Sequence, residues 1–306
     1  MPRFLARVAA TAVSLVLCAS AAVAQDKVRV GSKIDTEGAL VGNLIIHVLE
    51  AKGIKTENKL QLGPTKIVRS ALLAGEIDLY PEYTGNAAFF FNDDRDPVWK
   101  DGARGWEKAR ALDRERNKLA WLKPAPANNA WAIALRSDVA SAEKLATMAD
   151  FARWVSGGGP VKLAASAEFV ESPAALPAFE AAYGFKLKSN QVVTLAGGDT
   201  AATIRAAAEK TSGVNSAMAY GTDGALAALG LTVMSDPKGA QIVYAPAPVV
   251  RAAVLERHPE IAQALEPVFA ALDQPTLQSL NAKIAVDGED AKQVALGFLK
   301  LKGLAK

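Results

Sequence analysis

Cysteine and histidine are nearly absent from this 306-residue chain, which has one cysteine, Cys18, and two histidines, His47 and His258. With so few, there is no disulfide framework, no thiolate metal site and no Cys–His nucleophile pair. His47 lies on an amphipathic segment and His258 precedes Pro259 in a charged turn, so both read as structural or exposed. The chain also lacks HExxH, GxSxG, a P-loop and GxGxxG. Gly157–Gly159 is not followed by Lys-Ser/Thr and cradles no phosphate, and Ser166 and Glu168 have no histidine partner. These absences argue against an enzyme and call for no cofactor and no metal. Charge of one sign is missing too: 35 basic and 32 acidic residues give +3, which implies neither a nucleic-acid nor a membrane partner.

Long apolar runs are missing outside the start of the chain. Arg3 and Arg7 precede an apolar, Ala-rich stretch from Val8 to Ala22, and Ala22-Val23-Ala24 forms a small-x-small site. This is the pattern of a cleavable export signal over residues 1–24, with cleavage after Ala24 and a periplasmic address. Cys18 follows Leu17 rather than a small residue, which argues against lipid attachment. No later stretch reaches the length of a membrane span.

What is present is a soluble composition, half hydrophobic, and a strand–helix alternation long enough for two lobes. Val28–Val30 reads as a strand that delivers Ser32 and Lys33 at its end. Asp35 or Thr36 caps a helix carrying Leu40, Val41, Leu44, Ile45, Val48 and Leu49, and Gly53 stops it. Leu60–Leu62 reads as a second strand. Ile77–Leu79 reads as a third, ended by Pro81, which has no N–H for a ladder. Phe89–Phe91 reads as core or hinge-side packing, and residues 92–118 as a solvated helical excursion without chemistry.

Leu119–Leu122 and Trp131–Leu135 are strand-like and flank a Pro/Asn run, Pro124-x-Pro126 to Asn129, suited to a domain crossover. A second lobe follows: a helix over Leu145–Val155, a strand over Lys162–Ala165, and a helix from Ala174 stopped by Gly184. Beyond these come a strand at Gln191–Val193, a helix capped by Asp199 or Thr200, and the strand Val214–Ala219. Ile242–Tyr244 reads as a last strand before a second Pro-x-Pro run, Pro246 to Pro248, with mostly helical chain after it. The boundaries are residues 25–129 for the first part of lobe 1, 130–245 for lobe 2 and 246–306 for the return.

Tyr80, Tyr83, Tyr220 and Tyr244 fall at expected strand ends, where open α/β sheets bind ligands, and Trp131 falls at the crossover. Such rings pack into cores more often than they line sites, and core packing is the default reading from composition and position alone. Converging on a cleft, they form a cage for a quaternary ammonium, which has no N–H to donate. Each face contributes roughly 0.5–2 kcal/mol.

Four ordered motifs carry a resemblance across the whole exported chain. They are Gly31-Ser32-Lys33-x-x-Thr36-Glu37, Tyr80-Pro81-Glu82-Tyr83-Thr84-Gly85, Asn128-Asn129-x-Trp131 and Ala219-Tyr220-Gly221-Thr222-Asp223-Gly224. Together they resemble the osmoprotectant (glycine betaine/choline) substrate-binding proteins of ABC importers. The resemblance implies a type II periplasmic binding protein fold: two α/β lobes joined by two crossover strands. It implies a monomer that binds a small osmolyte and docks on the permease subunits of the inner membrane.

It also implies an aromatic box of Tyr83, Tyr220, Tyr244 and Trp131, the last where many relatives have tyrosine. Lys33 matches a position that contacts the ligand carboxylate. Asn86 replaces a common threonine, and Thr222 belongs to the Tyr-x-Thr-Asp-Gly motif. One departure stands out. Many relatives carry an arginine past Glu168-Phe169, where this chain reads Val170-Glu171-Ser172-Pro173, so the expected grip on a carboxylate is weaker. Choline, carnitine or an amino acid remain alternative ligands, and a periplasmic enzyme or a sensor domain the more distant readings.

Overall fold

The computed structural model describes residues 27–195 and 200–305. The expected signal segment, Cys18 and the alternative cap at Asp199 lie outside them. The described strands run in chain order as β1 (Val28–Lys33), β2 (Thr56–Gly63), β3 (Leu79–Tyr83), β4 (Leu119–Trp121) and β5 (Trp131–Arg136). They continue as β6 (Leu163–Ser166), β7 (Val192–Leu195), β8 (Ser216–Tyr220), β9 (Leu231–Val233) and β10 (Pro246–Arg251).

They form two five-stranded sheets, ordered β2-β1-β3-β10-β4 and β7-β6-β8-β5-β9. The two share one topology. In each, three parallel strands are followed by an antiparallel strand and a short antiparallel edge. The antiparallel strands, β10 and β5, are the ones reached directly from the segments that pass between the sheets. β3 and β8 therefore occupy equivalent places, and each ends on a tyrosine, Tyr83 or Tyr220.

Local sequence explains most of the elements. Helix α1 (Thr36–Ala51) starts at Asp35, whose side chain accepts from the Gly38 N–H at 2.7 Å. Its apolar side buries Leu40, Leu44, Ile45 and Leu49 against β1, β3 and the C-terminal helices. The helix expected from Leu145 begins later, at Met148, because Thr147 and Asp150 form a reciprocal capping box there. Asp78 stitches three strands together. It takes the Arg29 Nε and Nη2 at 2.9 and 2.8 Å and the Arg251 Nη1 at 3.2 Å.

Several expectations fail for reasons of pairing. Pro81 does not end a strand but sits inside β3, directly opposite Pro248 of β10. The bonds Arg251 N–H to Asp78 O and Thr84 N–H to Ala245 O, both 3.0 Å, fix the alternation of bonded and non-bonded pairs. That alternation places Pro81–Pro248 and Tyr83–Pro246 at positions where no N–H is required. On the far side, Pro246 and Pro248 offer only their carbonyls, which accept from Ala125 and Leu122 at 2.8 and 2.9 Å. The second Pro-x-Pro run is thus a strand, while Ile242–Tyr244, expected as one, is irregular chain crossing between the sheets.

The stretch 92–118 is more than a solvated excursion. Trp99 is buried, and Asp113 is wholly enclosed beneath Arg69, Trp121 and Asn117. Phe89, expected in core or hinge-side packing, is 52% exposed.

The two crossing segments run side by side: Tyr244 N–H donates to Asn128 Oδ1 at 2.8 Å and Asn129 N–H to Tyr244 O at 2.9 Å. The turn after β8 lies against them. A Cβ on Gly221 would stand 2.2 Å from the Asn128 carbonyl oxygen, a backbone atom that cannot swing away. Gly221→Ala is therefore expected to lower stability by about 1–3 kcal/mol, read as a shifted urea midpoint.

Candidate functional site

Between the sheets lies a cavity of about 680 Å³, and the seven residues singled out in the sequence (Lys33, Tyr83, Asn86, Trp131, Tyr220, Thr222 and Tyr244) all line it. They arrive from different directions. Lys33 and Tyr83 end β1 and β3, Asn86 opens the short helix after β3, Trp131 begins β5, Tyr220 ends β8, and Thr222 sits in the turn beyond it. Tyr244 belongs to the second crossing segment, and Gly85 makes room for it. A Cβ there would come within 2.8 Å of the Tyr244 ring.

Three of these aromatics, Trp131, Tyr220 and Tyr244, are half-buried where they line the cavity. Trp131 and Tyr220 face each other across β5 and β8. The neighbouring pair, Ala130 and Gly221, is hydrogen-bonded, so Trp131–Tyr220 is a non-bonded pair with its side chains close together. The rings stack at 4.4 Å and 25°. Phe169 also meets Trp131 edge-on, at 5.4 Å. Burial, then the nearby Asp223 and Glu168 carboxylates, push the Tyr220 hydroxyl up to about 12, and burial pushes Tyr244 to about 12. Both stay neutral at physiological pH.

Lys33 and Tyr83 are placed differently. The Lys33 ammonium lies 2.7 Å from Glu82 Oε1 and 4.3 Å from the centre of the Tyr83 ring. Glu82 is fully enclosed. Its carboxylate also accepts from the Tyr80 hydroxyl at 2.6 Å and from the Tyr83 N–H and Asn86 Nδ2 at 2.7 Å each. Lys33 is therefore already partnered inside the protein, and Asn86 spends an amide proton on the same acid. Tyr80, among the strand-end tyrosines, is not at the cavity. Its ring is fully enclosed among Val68, Leu72, Trp99 and Trp121.

Sequence reading missed the residues that organise the floor. Tyr83 donates its hydroxyl to Glu37 Oε1 at 2.7 Å, and Asn281 Nδ2 donates to Glu37 Oε2 at 2.7 Å and to the Thr222 carbonyl at 2.9 Å. Burial raises the Glu37 carboxyl above its ordinary value, against the lowering effect of Thr222, Tyr83 and Asn281. Asn281 lies on the helix Gln274–Ala285, whose Gln274 and Gln278 both donate to the Gly221 carbonyl, at 3.0 and 2.7 Å. Glu37 stood within a recognisable motif, yet Asn281 gave no signal, because its partner is 244 residues away. Among the described residues no cluster of His, Cys, Asp or Glu fits a metal ion. No described helix is long and apolar enough to cross a membrane.

Residues 26–301 match the family profile described as the substrate binding domain of the ABC-type glycine betaine transport system. The chain belongs to this family. It is 61% identical over 296 residues to the glycine betaine-binding protein YehZ of Escherichia coli, spanning 96% of this chain and 97% of that one. It is 29% identical over 281 residues to a glycine-betaine-binding protein of Pseudomonas aeruginosa, covering 90% and 88% of the two chains. The solved structure of apo YehZ superposes with a TM-score of 0.88 at 62% identity, over 91% of this chain and 99% of that one.

A more distant structure, a glycine betaine/carnitine/choline ABC transporter protein at 20% identity, still reaches a TM-score of 0.80 and shares the fold. This substrate-binding domain is thus a two-lobed α/β protein, one five-stranded sheet to each lobe, with its lined cavity between them.

Proposed function

We propose that the protein is the periplasmic receptor of an ABC importer and holds glycine betaine or a related quaternary ammonium compound in the cavity between its lobes. It binds its ligand without converting it, acts as a monomer after removal of its signal segment, and hands the osmolyte to permease subunits in the inner membrane. The observation that carries this reading is the set of three half-buried rings, Trp131, Tyr220 and Tyr244, around one cavity. Ring faces are the partners open to a cation that has no N–H. Tyr83 and Thr222 complete the walls, and Lys33 and Asn86 stand where a ligand carboxylate is expected.

Lys33 has to share its ammonium between Glu82 and that carboxylate, and no arginine follows Glu168-Phe169. Three or four faces with only a shared anion grip place the dissociation constant towards the millimolar end of a micromolar to millimolar range after association costs. Calorimetric titration of the mature protein with glycine betaine, followed in parallel by tryptophan emission, tests the reading. Saturable heat with a change in emission is the expected result, because Trp131 lines the cavity. No binding up to tens of millimolar overturns the ligand assignment and moves the search to choline.

A further inference from the structure

The cavity wall contains a buried carboxylate with no cation of its own. Glu37 is 6% exposed. Both of its oxygens are fixed by neutral donors, the Tyr83 hydroxyl and the Asn281 amide, each at 2.7 Å. No lysine or arginine among the described residues forms an ion pair with it. Lys33, the single basic residue lining the cavity among those described, is bound to Glu82. The other acids of the lining differ. Asp35 is exposed and caps α1, Glu168 is exposed, and Asp223 accepts from the Tyr220 N–H at 2.8 Å. A carboxylate taken out of water without a counter-ion is costly unless a cation compensates it.

We propose that Glu37 is the anionic partner of the bound cation, and that it sets the site's preference for a positively charged headgroup. This rests on the reading of the cavity as a quaternary-ammonium site and adds a specificity residue to it. Glu37 acts partly through Tyr83. A tyrosine hydroxyl donating to a carboxylate makes its ring face more negative, which strengthens the attraction for a cation on that face. It also supplies charge to the cavity floor, where Asn281 links it to the second-lobe turn at Thr222.

A proton signature follows. Burial raises the Glu37 carboxyl above its ordinary value, so a cation arriving beside it favours the ionised form, and whatever fraction is protonated beforehand is released as protons. The titratable or charged groups around Glu37 are Asp35 at its own helix start, Lys33 on β1, Glu82 and Tyr83 on β3, and Asp223 past Thr222. The 274–285 helix presents the neutral Asn281. Affinity for a cation falls as acid protonates Glu37, and it is fully present once Glu37 ionises in the complex.

Tetramethylammonium is the discriminating probe, since it carries the headgroup without a carboxylate. Calorimetry on the mature protein in buffers of different ionisation heat, at about pH 5 and about pH 7.5, reads affinity and proton release together. The wild type is expected to bind tetramethylammonium about tenfold more weakly at the lower pH and to release more protons on binding there than at the higher pH. Glu37→Gln is expected to bind weakly at both values with no proton release. Glu37→Asp, which keeps the charge, is expected to keep the pH dependence, and it supplies the comparison if Glu37→Gln fails to fold.

A Glu37→Gln protein with wild-type affinity and pH profile overturns the counter-charge, as does a wild type with neither pH dependence nor proton release. If glycine betaine binds while Glu37→Gln changes nothing, the cavity reading stands and this inference alone falls. If neither tetramethylammonium nor glycine betaine binds the wild type, both fall.

Discussion

Glu82→Ala is expected to lower the unfolding free energy by about 3–5 kcal/mol, the cost typical of leaving one member of a buried ion pair alone. The Lys33 ammonium, 7% exposed, loses its 2.7 Å partner. The Tyr80 hydroxyl, the Tyr83 N–H and Asn86 Nδ2 lose their acceptor in the same step. Each is an enclosed or half-enclosed donor, and a donor deprived of its partner out of water costs about 1–3 kcal/mol. These terms share one site and do not add. Urea denaturation followed by circular dichroism measures the effect, as a lower midpoint at unchanged slope. Glu82→Gln, which keeps an acceptor but not the charge, is expected to fall between. A loss under about 1 kcal/mol for the alanine variant would mean that Lys33 finds another partner or reaches solvent.

The same network changes how the Tyr80–Asn86 stretch is to be understood. It lines the cavity at two residues, Tyr83 and Asn86, and is a buried brace at Tyr80 and Glu82. Tyr80 is sealed in the core, and Glu82 holds Lys33 in place. Lys33→Ala is therefore a poor probe of ligand contact taken alone, because it also leaves the enclosed Glu82 carboxylate without its cation.

Features set by spacing along the chain were legible in the sequence. Asp35, the apolar spacing of α1 and the glycine after it announce that helix. The positions of Lys33 and Tyr83 at strand ends follow from short apolar runs broken by polar residues. Features set by pairing were not. Whether a proline fits a strand depends on which N–H groups the neighbouring strand needs, and Pro81 and Pro248 fit because they oppose each other. Tyr244 is expected in a strand and lies instead in an irregular crossing segment, since a short continuous apolar run such as Ile242-Val243-Tyr244 suits either.

Distance along the chain hid the rest. Asp113 reads as one more acid on a charged helix until Arg69, 44 residues earlier, is folded onto it. Trp131 and Tyr220 are expected as two walls of one aromatic box, with no sign that their rings meet. That they form one stacked unit is a consequence of the β5–β8 register, which no local pattern encodes.

Tyr220→Ala is expected to weaken glycine betaine binding by roughly five- to three-hundredfold. Two losses combine. The ring face offered to the cation contributes roughly 0.5–2 kcal/mol, and the stack that holds Trp131 in place contributes roughly 0.5–1.5 kcal/mol. At about 1.4 kcal/mol per decade, their sum reaches that range. Of its ring contacts among the described residues, Trp131 then keeps the edge contact of Phe169 at 5.4 Å, so its emission is expected to respond less to ligand as well. Tyr220→Phe separates ring from hydroxyl. It keeps the face and the stack and is expected to stay within about threefold of wild type. Calorimetry with parallel emission measures both variants, and thermal melts establish that each is folded. An alanine variant that binds as tightly as wild type removes Tyr220 from the cage and leaves Tyr244 and Trp131 to hold the cation. A phenylalanine variant as weak as the alanine one assigns the contact to the hydroxyl, and the ligand then bears a hydrogen-bonding group rather than a bare ammonium at that wall.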